Sequence, residues 1–319
     1  IKLSICINNA FVIFLPNLLW QKAYNFPVIQ HMEALSSTQL VNVKPLNFLL
    51  DQLLLNMPSL LLLFGGLFFF FSPKGKSFRL LGWLYLAVIG LFLIFKGKSY
   101  YSAGIYPVLL AAGAVIWEQW AKPQWAKASL GSLMILSILP FLPLGVYVLP
   151  LEKMVDYSTW LKTEVKLDGP LRWEDGVVHD LPQDYADMCG WEELAQIAES
   201  AYRQASDPAS TLLYAENYGQ AGAVNLYGKD KGLPHCNSFS NNFRLWIDPN
   251  SQPTALIYIN DELGSDVEEL FEDIQLIGSI TTSFAREKGT KVYLCQQGRE
   301  NVSTFWHERV DLVATSWKE

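Results

Sequence analysis

Charge is what this sequence has least of. Charged residues fill 17% of its 319 positions and hydrophobic ones 50%, whereas a soluble domain of ordinary composition carries about 25% charge. That scarcity excludes a single well-solvated globular core. Signatures of familiar soluble enzymes are missing too. There is no phosphate-cradling Walker A loop, no GxSxG nucleophile elbow and no HExxH helix. The four cysteines, Cys6, Cys189, Cys236 and Cys295, form no CxxC pair and no zinc spacing. In an oxidising compartment two of the last three could bridge; the alternative is that they are small buried hydrophobes. Each of the four histidines stands alone, so no metal site is expected. An initiating methionine is also lacking: the chain opens on Ile1 and at once on an apolar stretch, with no cleavable signal pattern. It reads as a chain whose natural N-terminus lies upstream.

What charge there is divides unevenly. Residues 1–150 hold ten Lys/Arg and three acids, Glu33, Asp51 and Glu118, a net of +7. The remaining 14 bases and 28 acids give residues 151–319 a net of −14. A basic, apolar half therefore precedes an acidic half of ordinary composition. The expected fold is an α-helical polytopic membrane bundle over 1–150, followed by an extracytoplasmic soluble α/β domain over 151–319.

Five apolar segments are expected to span: 3–16, 50–71, 80–95, 101–119 and 128–149. A hydrocarbon core of about 30 Å needs ~20 apolar residues in helix. Pro140 and Pro143 in the last span are tolerable where neighbours satisfy the freed carbonyls. The short loop 72–79 (SPKGKSFR) holds three bases and no acid, which the positive-inside rule assigns to the cytoplasm. Lys122 and Lys127, two spans on, share that side. Segments 17–47 and 96–100, and everything after 150, then face outward. Between the first two spans, 17–47 is polar but aromatic, a composition suited to helices lying in the membrane interface.

Beyond residue 150, WEELAQIAESAYRQA (191–205) has the acidic first turn and apolar stripe of an amphipathic helix. TLLYAEN (211–217), TALIYIN (254–260) and KVYLCQQ (291–297) read as buried strands. AGAVNLYG reads as a helix ended by Gly228, and SDVEELFED (265–273) as a helix capped by Ser265. Strand and helix in alternation suggest a compact α/β module.

Two places could carry chemistry. Lys96 and Lys98 break the orientation rule, lying outside with Tyr100 and Tyr101 and no acid beside them. Two ammonium groups and two phenols at headgroup depth suit a phosphate-bearing lipid; the alternative is a pair of snorkelling lysines in an aromatic belt. In the acidic half, Glu216 and Asn217 at a strand end, and His235 before Cys236-Asn237, have side chains suited to a sugar or acceptor. Strand ends are where α/β modules bind ligands, but Asn and Gly there are also plain turn chemistry.

The stretch FKGKSYYSAGIYPVLLAAGAVIWE (95–118) resembles the K-x-Y-Y-x5-P-x3-A-A-G-A segment of bacterial family-39 glycosyltransferases. These are the protein O-mannosyltransferase and aminoarabinose-transferase relatives within the GT-C superfamily. Further likenesses run through LPNLLWQ to FPVIQHM (15–32), NFLLDQLLLNMP (47–58), LPQDYADMCGWEEL (181–194) and ENYGQAGAVNLYG to NNFRLW (216–246), in the family's order. The resemblance implies the C-terminal part of an enzyme that moves a sugar from a polyprenyl-phosphate donor to a glycan, lipid or protein acceptor. It implies a bacterial inner membrane, with the C-terminal domain periplasmic, and no cofactor, metal or nucleic acid. Lipid-phosphate binding carries over to Lys98 and Tyr100, with Lys96 and Tyr101 as neighbours. The family's catalytic carboxylate belongs to a loop expected upstream of Ile1, so the chain alone is expected to be inactive. The alternative function is a non-enzymatic, membrane-anchored sensor or partner-binding protein. A transporter is disfavoured because the spans from 57 onward have almost no polar group at mid-depth.

Overall fold

The computed structural model describes residues 2–38, 40–299 and 302–316. The chain divides into two compact units, one of His31–Pro182 and one of Ile1–Gln30 with Gln183–Glu319. Segment 151–182, acidic in composition, thus packs with the helical unit. Composition changes near 150, and packing changes at Pro182.

The first nine helices are α1 (Lys2–Ala23), α2 (Pro27–Thr38), α3 (Pro45–Leu55), α4 (Leu60–Phe71), α5 (Arg79–Ile94), α6 (Tyr106–Trp120), α7 (Gln124–Ile138), α8 (Leu142–Gly145) and α9 (Leu151–Trp160). With the 3-10 turns that extend them, three helical segments among the described residues are long and apolar enough to cross a membrane: Lys76–Ile94, Ser99–Trp120 and Gln124–Gly145. Only 6% of the apolar window is buried in the first and third, against 33% in the second. Exposed apolar faces of that length require a hydrocarbon solvent or a partner.

The expected span at 50–71 is not one straight helix. Pro45–Leu55 and Met57–Phe71 meet at 64°. Pro58 has no N–H to continue the ladder, and Asn56 turns its side-chain amide back to the Gln52 carbonyl at 2.9 Å. The expected first span at 3–16 lies within α1, but the side chains of residues 2–7 fall outside the described ones. Cys6 is among them. α2 has no buried residue.

The helical unit's core is the contact of α4 with α6, where Leu63, Phe70, Tyr106, Leu109 and Ala112 are buried together. Glycine makes it possible. A Cβ on Gly66 would lie 2.0 Å from the Leu109 carbonyl oxygen, and one on Gly113 would lie 1.8 Å from that of Leu62. Small residues at such crossings let backbones touch, the packing that apolar helices use most.

In the other unit, α10 (Gln183–Ala186), α11 (Trp191–Gln204), α12 (Tyr218–Tyr227), α13 (Ser265–Glu268) and α14 (Val302–Ser316) surround a mixed sheet. Its strands are β1 (Thr211–Ala215), β2 (Cys236–Asn237), β3 (Ala255–Asn260), β4 (Phe271–Ser279) and β5 (Lys291–Gly298), in the order β2-β1-β3-β5-β4. β1 pairs in parallel with both β2 and β3, whereas β5 runs antiparallel to β3 and β4. Side chains alternate between the faces of a strand. Leu213, Ala215, Ile257 and Ile259 therefore pack with Leu194 and Ala198 of α11 and Val224 of α12. Leu212, Tyr214 and Tyr258 join Val302 and Trp306 of α14 in a second cluster.

The expected helix at 265–273 is a correction. α13 ends at Glu268, with Gly264 rather than Ser265 at its cap, and Phe271 begins a strand. The run of acids favours helix locally, but β5 offers a full-length antiparallel partner from Phe271↔Gly298 to Ser279↔Lys291. That pairing satisfies more backbone than two further helical turns would. Cys189, Cys236 and Cys295 are free thiols. Cys236 and Cys295 sit in different clusters. Burial raises the Cys236 thiol well above its usual range and, with Asp273 adding to it, pushes Cys295 up to about 12.

Glu193 of α11 ties down the loop after β4. Its two oxygens accept from the N–H groups of Thr281 and Thr282, both at 2.9 Å, and from their hydroxyls, both at 2.6 Å. Desolvation pushes this carboxyl up, but the four donors outweigh it and bring it down to about 2. A carboxyl lowered in the folded state adds stability above its ordinary pKa of 4.5 and loses it as pH falls toward 2. Glu193→Gln is expected to cost about 1–2 kcal/mol at pH 7, the range for charged hydrogen bonds reduced by partial solvent screening. Denaturation of the full chain across a pH series checks this. The variant's stability should depend less on pH between 4.5 and 2 than the wild type's.

Candidate functional site

The segment Lys96–Tyr101 connects α5 to the 3-10 turn Ser99–Ile105 that opens α6. The turn is held from α3. Gln52, buried, accepts at Oε1 from Ser102 Oγ at 2.5 Å and from the Tyr106 hydroxyl at 2.6 Å. Its amide nitrogen donates to the carbonyls of Ser99 and Phe48, both at 3.2 Å. One residue to the N-terminal side, Asp51 accepts from Ser99 Oγ at 2.5 Å. One glutamine thus fixes the backbone that carries Lys98 and Tyr100.

Lys98 is not a lone cation. Its ammonium is paired with the Glu174 carboxylate, and the two side chains are 15% and 30% exposed. Burial would lower the lysine's pKa, but the hydrogen bond and charge of Glu174 more than offset it and hold it above the ordinary value. Glu174 owes its place to a tight turn. Arg172 and Val178 pair as a short antiparallel bridge. Between them Asp175 Oδ1 accepts from Val177 N at 2.7 Å, and Gly176 takes φ +81°, a conformation that glycine adopts without strain. Asn42 donates to the Glu174 carbonyl at 3.0 Å.

The four expected lipid-phosphate residues share this segment but not one environment. Lys96 is exposed, with a left-handed backbone at φ +52°. Tyr100 and Tyr101 pack edge to face at 4.9 Å. Tyr101 also leans on Phe92, 6.1 Å between centroids. Tyr100 is 60% exposed and lines a groove of about 510 Å³ with Asp51, Ser99, Leu54, Met57, Ile138 and Phe141. The groove is apolar along most of its wall and polar where Asp51, Ser99 and Tyr100 meet.

In the sheet unit the three expected sugar- or acceptor-binding residues separate. Asn217 caps α12, its side chain accepting from Gly219 N at 2.7 Å, which is turn chemistry. His235 is exposed, and its carbonyl accepts from Asn237 Nδ2 at 3.2 Å. Glu216 lines a cavity of about 280 Å³ under α14. Its carboxylate accepts from the hydroxyls of Tyr258 at 3.0 Å and Tyr214 at 3.3 Å. Burial, reinforced by the Glu216 charge, raises both phenols above their ordinary range. Among the described residues no cluster of three or more His, Cys, Asp or Glu could hold a metal ion.

Gln52, Glu174 and the aromatic wall around Glu216 are the site residues that sequence reasoning missed. For the first, the sequence offers only a glutamine beside Asp51 in the largely apolar run 47–58, and its burial is decided by the fold. No family model matches the chain, and no curated protein or solved structure matches it either.

Proposed function

We propose that this chain is part of an integral-membrane glycosyltransferase that takes a sugar from a polyprenyl-phosphate donor on the outer face of the membrane. The observation that carries the reading is the groove beside Tyr100. It is an apolar channel whose polar patch adjoins a segment bearing a protonated lysine. A polyprenyl phosphate has the matching form, a long hydrocarbon chain ending in an anion. The motif of residues 95–118 and three helices suited by length and composition to a bilayer support the same reading.

In the proposed reaction an acceptor hydroxyl attacks the anomeric carbon. The bond from that carbon to the phosphate oxygen breaks, and polyprenyl phosphate leaves with the electron pair. Lys98 and Tyr100 act on the leaving side, where an ammonium and a phenol stabilise the charge that develops. The acceptor's proton goes to a carboxylate base, a role assigned to no residue of this chain. Glu174 sets the resting state of the anion site, since an arriving phosphate must share or displace it to reach Lys98.

The test is binding of undecaprenyl phosphate to the purified chain in detergent. Lys98→Ala is expected to weaken it ~10- to 100-fold, the range for a charged hydrogen bond, and Tyr100→Phe by less than ~10-fold. Glu174→Gln is expected to tighten binding several-fold, because it removes the competing carboxylate. Equal affinity in wild type, Lys98→Ala and Glu174→Gln would eliminate this segment as the phosphate site and leave an anchored sensor as the better reading.

A further inference from the structure

The cavity under α14 lies where open α/β sheets bind ligands. β1 sits between β2 and β3 and runs parallel to both, so the chain leaves it toward one side and then crosses to the other. The carboxyl ends of β1 and β3 form a topological switch point, and crevices at such points are ligand sites. Glu216 is the residue that follows β1.

The wall is aromatic. Tyr214 and Tyr258 line it nearly parallel, with centroids 6.1 Å apart, and Phe239 stacks on Trp306 at 5.2 Å. Three charged residues line the same cavity, Glu216, Asp266 and Arg309, a net of −1. Arg309 is committed to Asp266 at 2.6 Å, and its guanidinium lies 5.1 Å from the Phe305 ring centroid. Glu216 is left uncompensated. It is exposed, its carboxylate accepts from the phenols of Tyr214 and Tyr258, and no cation pairs with it among the described residues.

We infer that this cavity binds a small alkylated ammonium cation, with its methyl groups against the aromatic wall and its charge beside Glu216. Aromatic faces are negative and attract cations, quaternary ammonium groups above all. Wall and carboxylate therefore ask for the same sign of charge, and the net −14 of residues 151–319 favours the approach of a cation. A hydrocarbon filling the cavity would desolvate part of the carboxylate and give it no partner. A primary ammonium brings three N–H donors that need acceptors, where the wall offers rings; an alkylated one needs none. At about 280 Å³ the cavity is at the small end of ligand sites, which suits a cation of choline's size. The inference does not rest on sugar transfer by the helical unit, because binding is measured without turnover.

The experiment is saturation-transfer NMR on the full chain in an uncharged detergent, with choline as the probe and 3,3-dimethylbutan-1-ol, its neutral isostere, as the comparison. Choline should bind in the millimolar range and at least ~3-fold more tightly than the alcohol. Glu216→Gln, which keeps the shape and removes the charge, should abolish that preference. Phe239→Leu, which keeps an apolar wall but removes a ring, should weaken choline ~2- to 5-fold and leave the alcohol unchanged. Glycerophosphocholine separates two sources of the cation: binding tighter than choline assigns a lipid headgroup and weaker binding the free cation, and either order supports the inference. Absence of choline binding, equal binding of choline and the alcohol, or a preference for choline that persists in Glu216→Gln would each overturn it.

Discussion

Gly113→Val is expected to disrupt the packing of α4 against α6. Even the first carbon of the new side chain would sit 1.8 Å from the Leu62 carbonyl oxygen and 2.7 Å from its Cα. The obstacle is backbone, so no rotamer change relieves it. The helices must separate, and Leu109 and Phe70, now 1% and 2% exposed, lose contacts around them. Overpacking in a close-packed core costs about 1–3 kcal/mol and occasionally more, and displaced helix backbone belongs at the upper end. Thermal unfolding of the detergent-solubilised chain should show a clear fall in Tm. Gly90→Val, at a position where an added Cβ meets nothing within 4 Å, serves as the comparison and should change Tm little. Equal Tm shifts in the two variants would remove close backbone approach as the reason for glycine at 113.

Gln52→Leu is expected to damage stability and the phosphate site together. Leucine has similar bulk but neither donates nor accepts. The Tyr106 hydroxyl loses its contact with Gln52, and the carbonyls of Ser99 and Phe48 lose their shared amide donor. Ser102 is fully buried but keeps its bond to the Ser99 carbonyl at 2.9 Å. A hydrogen bond contributes about 0.5–1.5 kcal/mol net, so with the four made by the Gln52 side chain gone a loss of about 3 kcal/mol is expected. The turn 99–105 is no longer pinned to α3, and Lys98 and Tyr100 move with it. Undecaprenyl phosphate binding should weaken in Gln52→Leu even below its unfolding temperature, although residue 52 is not among the groove-lining residues. Lower stability with unchanged binding would make Gln52 structural only.

Both predictions rest on residues whose importance the sequence understates. Gly113 stands in a run of small residues whose composition suggests close packing, but its partner could not be read. A carbonyl at Leu62 becomes its neighbour only when two helices cross. Gln52 looks like an ordinary polar position on an amphipathic helix until the turn 47 residues later closes over it. Glu174 belongs by composition to the acidic half, and only folding brings it to Lys98. Conversely, turn chemistry at Asn217 was legible as the alternative to ligand binding, because the residues it serves are its immediate neighbours in the chain.

Local pattern by itself determined the apolar helices expected at 80–95, 101–119 and 128–149 and found at 76–94, 99–120 and 124–145, the amphipathic helix beginning at Trp191, and the three strands around Leu213, Ile257 and Leu294. These depend on hydrophobic period and run length, which a short window contains. Tertiary structure decided the break at Asn56–Pro58, the conversion of 271–273 from the end of an expected helix to the start of a strand, the pairing of Lys98 with Glu174 and the aromatic cavity over Glu216. Each depends on a partner distant in sequence. A chain segment chooses among its locally allowed states according to which one satisfies its backbone and buries its side chains against that partner.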